Sequence, residues 1–253
     1  MPVGKCEQKT KGRRYTENDK VFALALLKQT GPAYKYLSNI FSLLSRQTIL
    51  KFLSKITIRH GFNNVIFDAL KAESKNFKND LDKYGMLILD EMSILTQLGY
   101  NRKDDKVVGF DTTETDSSEF ANHAQVFMVR GIRQRWKQPM LINFHAGPAK
   151  SLYIANTIKT LVKKLKEAGF IVCSVICDQG TNNCAALSSL VKQTREEKLR
   201  RGEEMDISEF FFEVDGQKII PLFDPPYLIK CVRNNLLKNN LVYFSNGKNK
   251  IAK

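Results

Sequence analysis

The stretch Tyr84-Gly-Met-Leu-Ile-Leu-Asp90-Glu-Met-Ser-Ile94 is an unbroken apolar run that ends in acidic residues. A β-strand covered on both faces has this pattern, and a functional acid then lies at the carboxyl end of the strand. A second stretch repeats it, Phe170-Ile-Val-Cys-Ser-Val-Ile-Cys-Asp178-Gln-Gly180. If the two strands are neighbours, Asp90 and Asp178 meet at one edge of the sheet. Paired carboxylates at such an edge can hold a divalent metal ion.

The elements around these two strands predict a mixed sheet. Residues 151–168 have the periodicity of a helix, so the second acidic strand follows a crossover and should run parallel to the first. Three antiparallel strands, this helix, the parallel strand and a further helix describe an RNase H-like α/β sheet flanked by helices. The other predicted elements are strands at 106–111, 138–144 and 218–224, and helices at 182–192 and from Pro225 onward. The strand at 106–111 is expected to pair antiparallel with the first acidic strand. Residues 124–136 fit either a helix or a strand.

The N-terminal part of the chain reads as a separate helical module. Residues 1–14 are polar and basic, which predicts a disordered lead-in. Three short helices with brief turns follow, and they predict a helix-turn-helix-like module over residues 15–70. The module could bind DNA or mediate dimer contacts. The α/β domain is then expected over residues 71–253.

The composition favours an intracellular protein with a polyanionic partner. The net charge is +14, from 40 Lys and Arg against 26 Asp and Glu, which favours nucleic acid, although a compositional bias towards lysine has the same effect. The five cysteines lack the spacing of a disulfide framework or a zinc site and are expected to be free thiols in a reducing compartment. No apolar run reaches the roughly 18 residues of a membrane span, so no membrane association is expected.

Two interpretations compete for the two acids. In the first, Asp90 and Asp178 bind Mg²⁺ or Mn²⁺ and take part in two-metal phosphodiester chemistry. In the second, each acid caps the turn that follows its strand, which Asp178 before Gly-Thr-Asn would do well. Glu91 points to the opposite face of its strand and ranks lower. Asp224 either approaches the site from a neighbouring strand or caps the helix that follows it.

Two groups of basic residues are candidates for weak DNA contacts. The first comprises Arg130, Arg133, Arg135 and Lys137, which surround Trp136. The second comprises Lys230 and Arg233 on the helix after Asp224. Such residues suit contact with phosphates, but they are equally consistent with a solvated surface, and Trp136 is more often a packing anchor.

Four long motifs carry a resemblance to a known family. They are Leu-Asp-Glu-Met-Ser-Ile (89–94), Phe-Met-Val-Arg-Gly-Ile-Arg-Gln-Arg-Trp-Lys-Gln-Pro (127–139), Cys-Asp-Gln-Gly-Thr-Asn-Asn (177–183) and Phe-Asp-Pro-Pro-Tyr-Leu-Ile-Lys-Cys-Val-Arg-Asn-Asn-Leu (223–236). In this order they resemble the P-element-type DNA transposases, which include the THAP-domain transposase relatives. The resemblance covers residues 15–245.

The resemblance implies a cut-and-paste DNA transposase with an RNase H-like core. Asp90 and Asp178 match the first two members of the family's acidic triad. The third member, a Glu, and a GTP-binding insertion are expected downstream of Lys253, so GTP is implied only where that insertion is present. Tyr227 stands where relatives usually have His, which puts any role of that His in doubt. The chain is therefore expected to be an incomplete catalytic core, inactive or nearly so alone.

The sequence thus leaves three functional hypotheses. The first is a metal-dependent transposase core that acts on transposon ends and target DNA, as a homo-oligomer in the nucleus. The second is a catalytically silent DNA- or protein-binding module derived from such a core. The third, a nuclease of RNA–DNA hybrids, shares the fold but does not explain the helical module.

Overall fold

The computed structural model describes residues 14–54, 59–102, 104–113, 117–203, 209–245 and 247–252. The chain divides into two compact units, Met1–Ile58 and Arg59–Lys253. The lead-in predicted for residues 1–14 lies, except for Arg14, outside the described residues. Among the described residues, no helix combines the length and the apolar character that a bilayer span requires.

The first unit contains the three short helices that the sequence predicts. They are α1 (Glu17–Gln29), α2 (Gly31–Ile40) and α3 (Arg46–Leu53). Helix α1 begins at a capping box, in which Thr16 and Asp19 bond to each other's backbone N–H groups. A small core of Ala23, Tyr34, Leu44 and Ile49 joins the helices. The Tyr34 hydroxyl donates to the Leu44 carbonyl at 2.6 Å, which satisfies the buried phenol.

The second unit is built on a six-stranded mixed sheet in the order β5-β4-β1-β6-β8-β7. Pairs β1–β4, β4–β5 and β7–β8 are antiparallel, whereas β1–β6 and β6–β8 are parallel. Its elements are α4 (Asn64–Ser74), β1 (Tyr84–Ser93), β2 (Gly99–Asn101), β3 (Lys106–Val108), β4 (His123–Gly131), β5 (Lys137–His145), α5 (Ser151–Glu167), β6 (Ile171–Cys177), α6 (Thr181–Arg200), β7 (Phe212–Val214), β8 (Gln217–Phe223), α7 (Pro225–Leu236), β9 (Leu241–Ser245) and β10 (Lys248–Ala252). The predicted mixed α/β architecture is confirmed.

The main core lies between one face of the sheet and helices α5 and α6. Leu87 and Leu89 of β1 share this core with the fully buried stripe of α5, which includes Ile158 and Leu161. Because strand side chains alternate, Ile88 and Asp90 lie on the other face. There, Ile88 is half-buried and Asp90 is exposed. We call this second surface the open face of the sheet.

Helix α4 contributes Phe67 to the large core and lies within the second compact unit. The sequence predicts an amphipathic helix over residues 62–77 as the link between the helical module of residues 15–70 and the α/β domain of residues 71–253. The large unit therefore begins at Arg59, upstream of that division.

One predicted strand pairing is wrong. Residues 106–111 were expected to pair with the first acidic strand, but β3 pairs with β2 in a separate two-stranded hairpin. The antiparallel neighbour of β1 is β4, which settles the open choice for residues 124–136 in favour of a strand up to Gly131. Val107 and Val108 are both exposed, so β3 has no buried face to place it in the large sheet.

The C-terminal half contains more regular structure than the sequence predicts. Helix α6 continues eight residues past the predicted end at Lys192, to Arg200, because Thr194 and its neighbours still pack on the core. The Thr194 hydroxyl accepts a hydrogen bond from the Glu213 N–H at 2.9 Å, which ties α6 to the unpredicted strand β7. Strands β9 and β10 form a further unpredicted hairpin.

Candidate metal centre at the carboxyl edge of the sheet

Asp90 lies in β1, and Asp178 directly follows β6, the parallel neighbour of β1. In the β1–β6 ladder, Ile88 is opposite Ile176. Continuing the same register by two residues places Asp90 opposite Asp178 and keeps both on the open face. Neighbouring strands lie about 4.8 Å apart, so the two residues are adjacent across the edge of the sheet.

Asp90 is exposed, and its carboxylate has a local partner. Its Oδ1 accepts a hydrogen bond from the Glu91 N–H at 2.9 Å. This contact is formed by the next residue of the same strand, and the described residues show no hydrogen bond to the second carboxylate oxygen. The side chain is therefore accessible to an external cation.

Asp178 is half-buried and is held at one oxygen. Its Oδ1 accepts hydrogen bonds from the Gly180 N–H at 2.9 Å and from the Asn183 side-chain amide at 2.6 Å. The turn-capping role considered for Asp178 is thus present in the structure. It does not exclude metal binding, because both contacts use Oδ1 and the described residues show no hydrogen bond to Oδ2.

Glu91 lies on the core face and has a structural contact. Both of its carboxylate oxygens are 3.3 Å from the Ala149 backbone nitrogen. This interaction holds the loop that leads into α5. Glu91 therefore points away from Asp90, as the strand alternation predicts.

Asp224 comes to the same edge from the other side of Asp178. Its backbone N–H donates to the Cys177 carbonyl at 2.9 Å, and it directly follows β8, which pairs with β6. Its side chain makes no capping hydrogen bond to α7. Within the described residues, however, no three His, Cys, Asp or Glu side chains are spaced to hold a metal ion together. The candidate centre is therefore the pair Asp90 and Asp178.

The basic cluster around Trp136 lies at the opposite end of the sheet. Arg130 pairs with Met86 and Lys137 pairs with Arg130, so the cluster is level with the beginning of β1. Met86 precedes Asp90 by four residues, which is roughly 13 Å along the strand. All four basic side chains, including Arg133 and Arg135, are exposed. The structure therefore separates these residues from the acidic pair.

Trp136 itself is a packing anchor. Its ring lies 5.0 Å from that of Phe170 and 6.2 Å from that of Phe77, and its indole N–H donates to the Asp82 carbonyl at 3.0 Å. Arg133 approaches the buried Asp82 carboxylate at 3.6 Å. Trp136 and Arg133 therefore have structural roles in the turn between β4 and β5.

Lys230 and Arg233 lie on α7, which begins at the acidic edge. Both side chains are exposed. The Lys230 ammonium lies 5.1 Å from the centre of the Tyr227 ring, and the Arg233 guanidinium donates to Asn234. Helix α7 directly follows Asp224, so it begins at the same edge of the sheet as the acids.

Four cysteines in the described part of the chain, Cys173, Cys177, Cys184 and Cys231, are free. Burial, with a smaller effect of the nearby Asp178 carboxylate, raises the pKa of Cys177 to about 12. Cys177 is therefore an unreactive thiol directly below the acidic edge. Cys6 lies outside the described residues.

A layer of buried polar side chains on the core face was not predicted. Glu91, Gln125 and Asn143 are aligned across β1, β4 and β5, with His145 two residues further along β5. Gln125 is fully buried, and neither of its amide atoms has a hydrogen-bond partner among the described residues; the same holds for His145 Nε2. The available signal was the interruption of apolar strands by single polar residues at these positions.

The buried His145 predicts a pH dependence of stability. Burial lowers the pKa of His145, outweighing the opposite effect of Asp111 and Glu91, while His123 lowers it further. The unfolded chain, with an ordinary histidine pKa near ~6.5, then binds more protons, so this stability is present above that pH and is lost as the pH falls. The free energy of unfolding, measured with urea at about pH 7.5 and at about pH 5.5, should decrease less between these pH values for His145→Gln than for the wild type.

The exposed His60 provides the control for this measurement. In His60→Gln, the free energy of unfolding should change between the two pH values by the same amount as in the wild type. An equal pH dependence in the wild type and in His145→Gln would contradict the prediction.

The six-stranded mixed sheet and its flanking helices define an RNase H-like domain. Residues 58–191 match the family model described as TNP-like, RNase H N-terminal domain. The chain belongs to this family.

Named relatives confirm the resemblance to P-element-type transposases. The Transposable element P transposase of Drosophila melanogaster is 30% identical over 248 residues, which are 95% of this chain and 28% of the relative. DNA transposase THAP9 of Homo sapiens is 24% identical over 238 residues, which are 92% of this chain and 26% of the relative. The chain thus spans about a quarter of the length of these curated relatives.

A solved structure has the same fold. The Drosophila P element transposase strand transfer complex matches with a TM-score of 0.70 and 26% identity. The match covers 94% of this chain and 48% of the chain in that complex. The homology supports a transposase-related function.

Proposed function

We propose that this chain forms part of the catalytic core of a metal-dependent DNA transposase, with Asp90 and Asp178 as its metal-binding residues. The observation that carries the proposal is the register of the parallel strands β1 and β6, in which Ile88 lies opposite Ile176. Continued by two residues, this register brings Asp90 and Asp178 level with each other. The relatives named as transposases supply the proposed reaction class, which is DNA transposition.

The chemistry of the two side chains fits Mg²⁺ or Mn²⁺. Both ions prefer carboxylate and water oxygens, and the outward Asp90 carboxylate and Asp178 Oδ2 offer such ligands. When bound, a divalent ion stabilises negative charge at the phosphate and activates the attacking oxygen. Without a cation, the two carboxylates repel each other across the strand edge. The protein's part is to hold the acids close in spite of this repulsion.

DNA is the proposed partner. The net charge of +14 favours a polyanion, and the exposed Lys230 and Arg233 extend from the acidic edge along α7. We assign Arg130, Arg133, Arg135 and Lys137 to phosphate contacts further along the duplex, because they lie at the other end of the sheet. Homo-oligomeric assembly and action in the nucleus complete this proposal. GTP is part of it only where the insertion implied by the family resemblance is present.

The second candidate is a catalytically silent DNA- or protein-binding module. One observation favours it: the described residues contain no group of three potential ligands suitably spaced for a metal ion. In this case, the positive surface would bind DNA without cleaving it. Metal binding by the acidic pair separates the two candidates.

The test is Mn²⁺ binding to the 253-residue chain, measured by electron paramagnetic resonance. We expect Asp90→Asn and Asp178→Asn each to weaken binding by at least about tenfold, because each removes one of two charged ligands. Asp68→Asn, which changes an exposed acid on α4, is the matched control for net charge. Binding that is the same in wild type, Asp90→Asn and Asp178→Asn would overturn the assignment of the site.

A plasmid-nicking assay in the presence of Mn²⁺ then tests whether the chain cleaves DNA. Asp90-dependent nicking would support the enzyme, and its absence alongside Asp90-dependent metal binding would support a silent or incomplete core. An RNA–DNA hybrid tested in parallel identifies a hybrid nuclease. Cleavage restricted to that hybrid would contradict the transposase proposal.

A further inference from the structure

We infer that Asn183 is a positioning residue that fixes the orientation of the Asp178 carboxylate. The inference rests on the proposed function, in which Asp178 binds the metal ion. Asn183 is the third residue of α6 and is half-buried. It does not need to touch the metal or the DNA for this role.

The hydrogen bonds around Asp178 are asymmetric. The Asn183 amide and the Gly180 backbone N–H both donate to Oδ1, at 2.6 Å and 2.9 Å. Two donors on the same oxygen fix the plane of the carboxylate and leave Oδ2 for another ligand. Hydrogen bonds to a charged acceptor in a half-buried position are stronger than neutral ones.

This arrangement matters because Asp178 Oδ2 accepts no hydrogen bond from the described residues. A carboxylate at a strand end can rotate about two side-chain bonds, and only some rotamers direct it towards the strand that carries Asp90. Partners behind a metal ligand commonly change metal affinity by about 10–100-fold when they are removed. Asn183 and Gly180 occupy that place behind Asp178.

Gly180 makes room for the fixed carboxylate. A Cβ at this position would lie 3.0 Å from Asp178 Oδ1. The backbone of Gly180, at φ −56° and ψ 139°, is accessible to any residue, so glycine is not required for the backbone conformation. Glycine at 180 therefore leaves the space that Oδ1 occupies.

The adjacent Asn182 has a different partner. Its side-chain amide donates to the Ala149 carbonyl at 2.9 Å, which ties α6 to the loop before α5. Asn182 and Asn183 are the same residue type in the same helical turn, and both are half-buried. Asn182 is therefore a matched control for loss of an amide at the start of α6.

The test measures Mn²⁺ affinity of wild type, Asn183→Leu, Asn182→Leu and Gly180→Ala by electron paramagnetic resonance. We expect Asn183→Leu to weaken binding by about 10–100-fold. Asn182→Leu should remain within about twofold of wild type, because its amide does not touch Asp178. Gly180→Ala should weaken binding in the same direction as Asn183→Leu, because it displaces Oδ1 without removing a donor; it also serves if Asn183→Leu does not fold.

A second readout does not depend on metal. Nuclear magnetic resonance couplings of the Asp178 β-protons should report one rotamer in wild type and averaged rotamers in Asn183→Leu. If Asn183→Leu binds Mn²⁺ with wild-type affinity and Asp178→Asn binds it more weakly, the role of Asn183 is overturned. The assignment of the metal site is then still supported. If wild type shows no Asp178-dependent binding, the proposed function fails, and an Asp178 rotamer equally fixed in both proteins would overturn the positioning role.

Discussion

Phe170→Ala should lower the free energy of unfolding of the α/β unit by about 3–5 kcal/mol, the usual cost of removing a fully buried phenyl ring. Phe170 is 1% exposed and packs edge-on against Trp136, at 5.0 Å, and Phe77, at 5.9 Å. Phe77 lies in the segment before β1, Trp136 in the β4–β5 turn, and Phe170 directly before β6. Removing the Phe170 ring would therefore remove the contacts that join these three segments.

The measurement can be confined to one unit of the chain. Trp136 is the single tryptophan and lies in the second unit, so its fluorescence during urea unfolding reports that unit alone. Phe244→Ala is the control, because Phe244 in β9 is 73% exposed. Its expected change is within ±0.5 kcal/mol, on the order of a surface substitution. A loss below about 1 kcal/mol for Phe170→Ala would show that the ring cluster is not a core element.

The sequence predicts most of the central fold because its strongest signals are local. The two apolar runs that end in Asp90 and Asp178 are ten and seven residues long as strands and form the parallel centre of the sheet. The helix between them has the most regular apolar stripe in the chain, with seven buried residues. Strand–helix–strand handedness then leaves one arrangement that brings both acids to the same edge.

Pairing partners were harder to predict than the strands themselves. Residues 106–108 and 123–131 both follow the first acidic strand, and only long-range packing decides which of them joins the sheet. Strand β4 supplies Phe127 and Val129 to the core, whereas β3 supplies exposed valines. The period of the apolar residues in 124–136 was ambiguous because Trp136 packs from the turn beyond the strand.

In the candidate site, too, some features follow from local sequence and others depend on long-range packing. The parallel pairing of the two strands that end near Asp90 and Asp178 follows from two strand ends and one crossover, so it could be predicted. The asymmetric contacts of Asp178 depend on the side-chain direction of Asn183 at the start of α6, which no spacing specifies. The position of the Trp136 basic cluster at the opposite edge depends on the antiparallel direction of β4, which was left open.

Gly131→Ala should destabilise the α/β unit by about 3 kcal/mol, at the upper end of the usual cost of overpacking. A Cβ at position 131 would lie 2.4 Å from the Trp136 indole nitrogen and 2.6 Å from the Gln134 carbonyl oxygen. The carbonyl belongs to the backbone of the same turn and cannot move without breaking its 2.9 Å hydrogen bond from the Trp136 N–H. The substitution must therefore displace the indole and open the turn.

Two other glycines make this a graded test. Gly85 lies opposite Gly131 in the β1–β4 ladder, and a Cβ there would meet its nearest atoms at 3.1–3.2 Å, so Gly85→Ala should cost about 1 kcal/mol. Gly99→Ala, with its nearest atom at 3.4 Å, should have little effect. Trp136 fluorescence during urea unfolding ranks the three variants, and equal losses would refute a steric cause. The expected order would mean that the glycine and tryptophan of the Arg-Gly-Ile-Arg-Gln-Arg-Trp motif act in packing.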